Sequence, residues 1–179
     1  EGVPQVDIAM IRTDYYLNNL LTSVSSSGVY NNALHNDRAY YWTDLGLQDK
    51  GYTYDYFSSY TFMDDEVNVS DGQINSNGVA YKAVVVMEDE LPLDAAKKLK
   101  EAAENGLPVL FVNNVVEHPN NSDVDKVNTI AASTTGCNDG KDEELAAVID
   151  EIKALDNVKT IDSCEEALDA LSELGVTPR

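Results

Sequence analysis

The chain reads as a three-layer α/β protein with a mainly parallel sheet, and three observations carry that reading. Residues 81–87 (YKAVVVM) and 107–112 (LPVLFV) are short, β-branched, nearly all-apolar runs, the pattern of strands covered on both faces. Between them, Ala95, Ala96, Leu99, Ala102 and Ala103 recur at helical spacing and form one apolar stripe, while Lys97, Lys98, Lys100, Glu101 and Glu104 fall mostly on the other side. Two buried strands joined by an amphipathic helix make a βαβ unit, whose crossover is almost always right-handed. Along the rest of the chain apolar runs and helical stripes alternate, as a parallel sheet with helices on both faces requires. Five strands are predicted near 6–11, 52–57, 81–87, 108–113 and 157–161, in the sheet order 2-1-3-4-5.

The elements follow in chain order. Residues 6–11 (VDIAMI) form an apolar run interrupted only by Asp7 and predict the central strand. Leu17, Leu20, Leu21 and Val24 then recur at helical spacing, with Thr13 or Asp14 as N-cap and Gly28 beyond the end. Residues 37–50 predict a second helix ending at Gly51, which Gly46 weakens. Residues 52–57 (YTYDYF) alternate and are aromatic, hence a strand, and residues 58–66 read as loop. Ser70-Asp71-Gly72 and Asn77-Gly78 are turn signals placed just before the βαβ unit. In that unit Pro92 suits the first helical turn and Gly106 the stop. Residues 115–140 show little periodicity and predict a long loop. Leu145, Val148, Ile149, Ile152 and Leu155 mark a helix over 141–155, followed by the strand at 157–161. Ser163 and Glu166 have the spacing of a capping box. The helix they open is predicted to bury Ala167, Leu168, Leu171 and Leu174 before Gly175 and Pro178 end it.

At 179 residues the chain predicts one domain with a sizeable core. It starts at Glu1 with neither an initiator Met nor a signal-peptide pattern, which predicts a processed protein or a piece of a larger multidomain one. Charge sets it apart: 32 acidic against 12 basic residues leave −20. So negative a surface repels phosphate, which argues against nucleic acid and anionic membranes as partners. No run approaches the ~18 apolar residues of a membrane span. Two cysteines, Cys137 and Cys164, and two histidines, His35 and His118, fit neither a disulfide framework nor a zinc motif. No metal site and no cofactor are predicted, since GxGxxG, GxxxxGK[ST] and GxSxG are all missing. Cys137, in TGCNDG, lacks the buried strand and glycine spacing of a nucleophile elbow. Asp64-Asp65-Glu66 lacks the spaced ligands of a calcium loop.

Ligands of open α/β sheets bind beyond the carboxyl ends of the strands. Arg12 and Asp14 follow the first strand, Glu88 and Asp89 the third, and Asn113, Asn114 and His118 the fourth. These are the candidate ligand-binding residues, because an arginine with carboxylates and amides can grip sugar hydroxyls or a cation. Polar residues at strand ends are also simply where the chain meets water. Ten tyrosines beside three phenylalanines invite the same two readings, a sugar-facing surface or half-buried rings with wet hydroxyls.

The series GYTYDYF at 51–57, VSDGQI at 69–74 and GVAYKAVVV at 78–86, continuing through residues 99–106 into VLFV at 109–112, is distinctive in order and spacing. It resembles the domain that follows the catalytic barrel in large multidomain glycoside hydrolases of the α-L-rhamnosidase type. That domain has a class I glutamine amidotransferase-like, or flavodoxin-like, fold, and a similar one trimerises some β-galactosidases. The likeness covers residues 52–112, and LGVTP at 174–178 resembles the family's exit into a following β-domain. The amidotransferase nucleophile would stand just after the fourth strand, where this chain has Asn113 and Asn114. The resemblance therefore implies a non-catalytic accessory domain with neighbouring domains, sister subunits or carbohydrate as partners, in an extracellular or cell-surface enzyme. Its docking surface is expected at Tyr40, Tyr41 and Trp42, which helical geometry spreads so that at least one points outward, the alternative being that the second helix sits between layers and buries all three.

Overall fold

The computed structural model describes residues 2–11, 45–87, 91–112 and 140–179. In chain order the strands are β1 (Ile8–Ile11), β2 (Tyr54–Phe57), β3 (Asn68–Ser70), β4 (Gln73–Ser76), β5 (Val79–Tyr81), β6 (Ala83–Val86), β7 (Val109–Val112) and β8 (Val158–Ile161). The helices are α1 (Ser59–Met63), α2 (Leu93–Glu104), α3 (Asp142–Lys153) and α4 (Ala167–Glu173). Five strands pair in the order β2-β1-β6-β7-β8, every pair parallel, which is the predicted 2-1-3-4-5. Strand alternation splits their side chains between two faces. Ala9, Ile11, Val84, Val86, Val109 and Phe111 join Leu99 of α2 and Leu145 and Ile149 of α3 in one core. Ile8, Met10, Val85, Leu110 and Ile161 join Ala167, Ala170 and Leu171 of α4 in the other. Helices on both faces of a parallel sheet make the three layers and define a flavodoxin-like α/β fold.

The helices form for the reasons their sequences suggest. On α2 the predicted stripe is buried throughout, from Leu93 to Ala103, and Gly106 follows with φ of 94°. The α2 and α3 surfaces face one another through Lys97–Glu144 at 2.8 Å and a Lys100–Glu151 pair, exposed contacts that contribute little. A stronger tie is Asn157, whose side-chain amide donates to Ala103 O at 2.9 Å and to Leu107 O at 2.6 Å. It fastens the turn before β8 to the end of α2.

Several boundaries differ from the sequence reading, each for a local reason. The apolar run 81–87 is not one strand: it breaks at Lys82, with Tyr81 ending β5 and Ala83 opening β6. Strands β3, β4 and β5 form a separate antiparallel sheet. Its turns lie at the expected places, Asp71-Gly72 with φ of 53° and 69° and Asn77-Gly78 with φ of 50° and 84°. Two consecutive positive φ values are the mark of the two-residue hairpin turn. Residues 58–66, read as loop, contain α1, capped by Ser58 Oγ accepting from the Thr61 N–H at 3.0 Å and drawn inward by fully buried Phe62. The second predicted helix does not continue through its described portion. Gly46 is left-handed at φ of 69°, and Gln48–Lys50 is one 3₁₀ turn closed by Gly51. At Ser163 the expected capping box is replaced: its Oγ accepts from the Glu165 N–H at 3.3 Å, and α4 begins only at Ala167, after a 3₁₀ turn. Leu168 and Leu174 are partly buried rather than core.

Candidate functional site

The sheet has two edges of different character, one at the carboxyl and one at the amino ends of its strands. At the carboxyl edge Ile11 pairs with Val86 and Val86 with Phe111. The Met87 N–H donates to Ile11 O at 2.9 Å, so β1 and β6 finish level. Arg12 and Asp14, Glu88 and Asp89, and Asn113, Asn114 and His118 therefore follow three strands that are neighbours in the sheet. The residues themselves lie outside the described ones, as do Tyr40, Tyr41, Trp42 and Cys137.

The amino edge carries a cluster that the sequence reading passed over. Asp7, one residue before β1, is 1% exposed, in a position that a charge occupies only when it is paired. Its Oδ2 accepts from the Thr53 N–H and the Thr53 hydroxyl, both at 3.1 Å, just before β2. Its Oδ1 has no well-directed hydrogen bond. It lies instead in the field of two cations, Lys82 Nζ at 3.2 Å and Arg179 Nε at 4.0 Å. The Lys82 ammonium sits within ion-pair distance of Oδ1 and offsets its charge. Each cation has a second task. Lys82 Nζ donates to Thr177 O at 3.0 Å, and Arg179 donates through Nη1 to Val6 O and through Nη2 to Ala80 O at 2.8 Å. Tyr52 adds its hydroxyl, donating to Val176 O at 2.7 Å. One carboxylate thus gathers the amino ends of β2, β1 and β6 together with residues 176–179.

The electrostatics fit a fixed charge, not a proton carrier. Burial pushes the Asp7 carboxyl up, but the Thr53 N–H, the Lys82 ammonium and the Thr53 hydroxyl outweigh it and leave the group below its ordinary value of 3.8. Burial, then the Asp7 charge, pushes the Tyr52 phenol upward, which keeps it a neutral donor. On the β2 side Tyr81 donates its hydroxyl to Asp55 Oδ2 at 2.8 Å, and its phenol is raised by burial and then by that carboxylate. Among the described residues no group of three or more His, Cys, Asp or Glu side chains is placed to hold a metal ion. What could have flagged the cluster is Asp7 itself, a lone acid within an apolar strand run.

These features define the class as an α/β fold with a parallel 2-1-3-4-5 sheet and a charge-tied amino edge. No protein-family model, no curated protein and no solved structure matches the chain.

Proposed function

We propose that this chain is a non-catalytic accessory domain of a carbohydrate-active enzyme, a glycoside hydrolase, in which it packs against neighbouring domains or sister subunits. The observation that carries the reading is the exposure of two large aromatic side chains, Tyr56 at 46% and Tyr60 at 58%, on edge strand β2 and on α1 directly after it. Tyrosine on a surface is the residue type interfaces favour, because it contributes a large contact area at a small loss of side-chain freedom. Beside it, the resemblance over residues 52–112 supports the parent class. Replacing Tyr56 and Tyr60 together by Ser should leave the thermal midpoint of the chain nearly unchanged. Association with the parent's remaining domains, followed by sedimentation, should weaken by about 2 kcal/mol, the scale of an interface hot spot. Unchanged association would sink the packing role. Turnover of a nitrophenyl glycoside by the purified chain, lost on replacing one of its carboxylates, would sink the non-catalytic one.

A second reading, a carbohydrate- or small-ligand-binding module, is favoured by the level carboxyl ends of β1 and β6 beside β7. Polar residues that follow three adjacent strands start from one edge, the place where such sheets hold ligands. Titration calorimetry against a panel of oligosaccharides separates the two: a packing domain evolves no binding heat, a module does.

A further inference from the structure

We infer that residues 176–179 form a strap latched across the amino edge of the parallel sheet, with Asp7 as the lock, and that this strap can lift while the sheet stays folded. The contacts divide in a way that supports separability. The sheet is held by its own ladders, β2 to β1, β1 to β6, and β6 onward to β8. None of those ladders includes a residue beyond Ile161. The strap belongs to no strand, and what holds it is side-chain chemistry from three strand entrances. Val176 is buried, its carbonyl accepts from Tyr52, and its N–H donates to Leu171 O at 2.9 Å. Beyond it the attachment passes to charge: Lys82 reaches the Thr177 carbonyl, and the Arg179 guanidinium spans the Val6 and Ala80 carbonyls. Both cations face Asp7 Oδ1, among the described residues the one buried side-chain oxygen that lacks a directed hydrogen bond.

That arrangement makes Asp7 Oδ1 a common seat. Lys82, just before β6, places one donor on the strap, and Arg179, on the strap, places its donors on Val6, before β1, and on Ala80, in β5 of the antiparallel sheet. Each holds the other in place through the carboxylate between them. Removing the charge leaves an ammonium and a guanidinium, 26% and 27% exposed, facing each other without the carboxylate between them, and one of the two is on the strap. Lifting would uncover the Tyr52 hydroxyl and the apolar seat of Val176 among residues such as Leu171. The amino edge accordingly has a closed form and an open form.

Backbone ¹⁵N relaxation on the chain tests this directly, read at the Thr177 and Arg179 amides with β1 and β6 as internal controls. In the native chain both strap amides should show order parameters near about 0.85, like the sheet. In Asp7→Asn and in Arg179→Gln they should drop below about 0.6, while the amides of Ile8–Ile11 and Ala83–Val86 stay unchanged. Asp7→Asn also strips Thr53 of its carboxylate, so if that variant does not fold, Arg179→Gln decides alone. Strap amides already mobile in the native chain would overturn the proposal. So would a rigid strap in Arg179→Gln, or loosening of strap and sheet together in that variant.

Discussion

Replacing Asp7 by Asn keeps the side chain's shape and removes its charge, which leaves Lys82 and Arg179 facing one another at the amino edge. Breaking a buried pair by removing one partner typically destabilises by about 3–5 kcal/mol, and urea unfolding of the variant should show a loss of that size. Acid gives an independent view of the same group. The folded-state value of Asp7 lies below its ordinary 3.8, so the stabilisation is complete above that value and is lost as pH falls through the lower, folded-state one. Asp7 is the side-chain carboxyl of the cluster, and the raised Tyr52 phenol stays neutral across this window. The native chain should therefore lose stability below about pH 3.8 more steeply than Asp7→Asn does. Parallel acid limbs for the two chains would contradict this. Asp7 was visible in the sequence as an interruption of an apolar run. Its partners at positions 53, 82 and 179 were not, because long-range charge pairing leaves no local periodic trace.

Among the elements, α2 and β7 were legible because burial on one stripe or on both faces writes a regular pattern over many residues. At Leu99, fully buried in the middle of α2, truncation to Ala should cost about 2–5 kcal/mol in chemical denaturation, with the slope unchanged. Shorter elements escaped. Helix α1 has five residues, too few to show a period, and its signals are one cap at Ser58 and one anchor at Phe62. The break at Lys82 was hidden by the apolar residues on either side of it, which two different sheets bury. Hairpin turns were better marked, since Asp-Gly and Asn-Gly supply the positive φ that the turn needs. Asn77 sits at φ of 50°, where a branched or bulky side chain is disfavoured, so Asn77→Val should lose about 1–2 kcal/mol. The same substitution at Asn75, in β4, should change stability far less, and equal losses at both positions would remove the turn as the cause.

For the molecule as a whole, sheet order was legible from the alternation of strands and helices, since connection rules leave few arrangements open to such a chain. The carboxyl-edge residues lie outside the described ones, so at that edge only the arrangement of the strands bears on them. Net charge of −20 acts at this scale too. Self-repulsion opposes compactness and is screened by salt, so the thermal midpoint should rise between about 0.01 M and about 0.15 M sodium chloride, as the screening length falls from ~30 Å to ~8 Å. A midpoint that fell with salt would mean that attractive pairs such as Lys97–Glu144 outweigh the repulsion. The contact between Val6 and Arg179 spans 173 positions, and it also sets an order in time. A ribosome adding ~5–20 residues per second makes Val6 about 9–35 s before the arginine that closes over it. Throughout that interval the nascent chain carries the Asp7 carboxylate without the arginine that faces it in the folded chain.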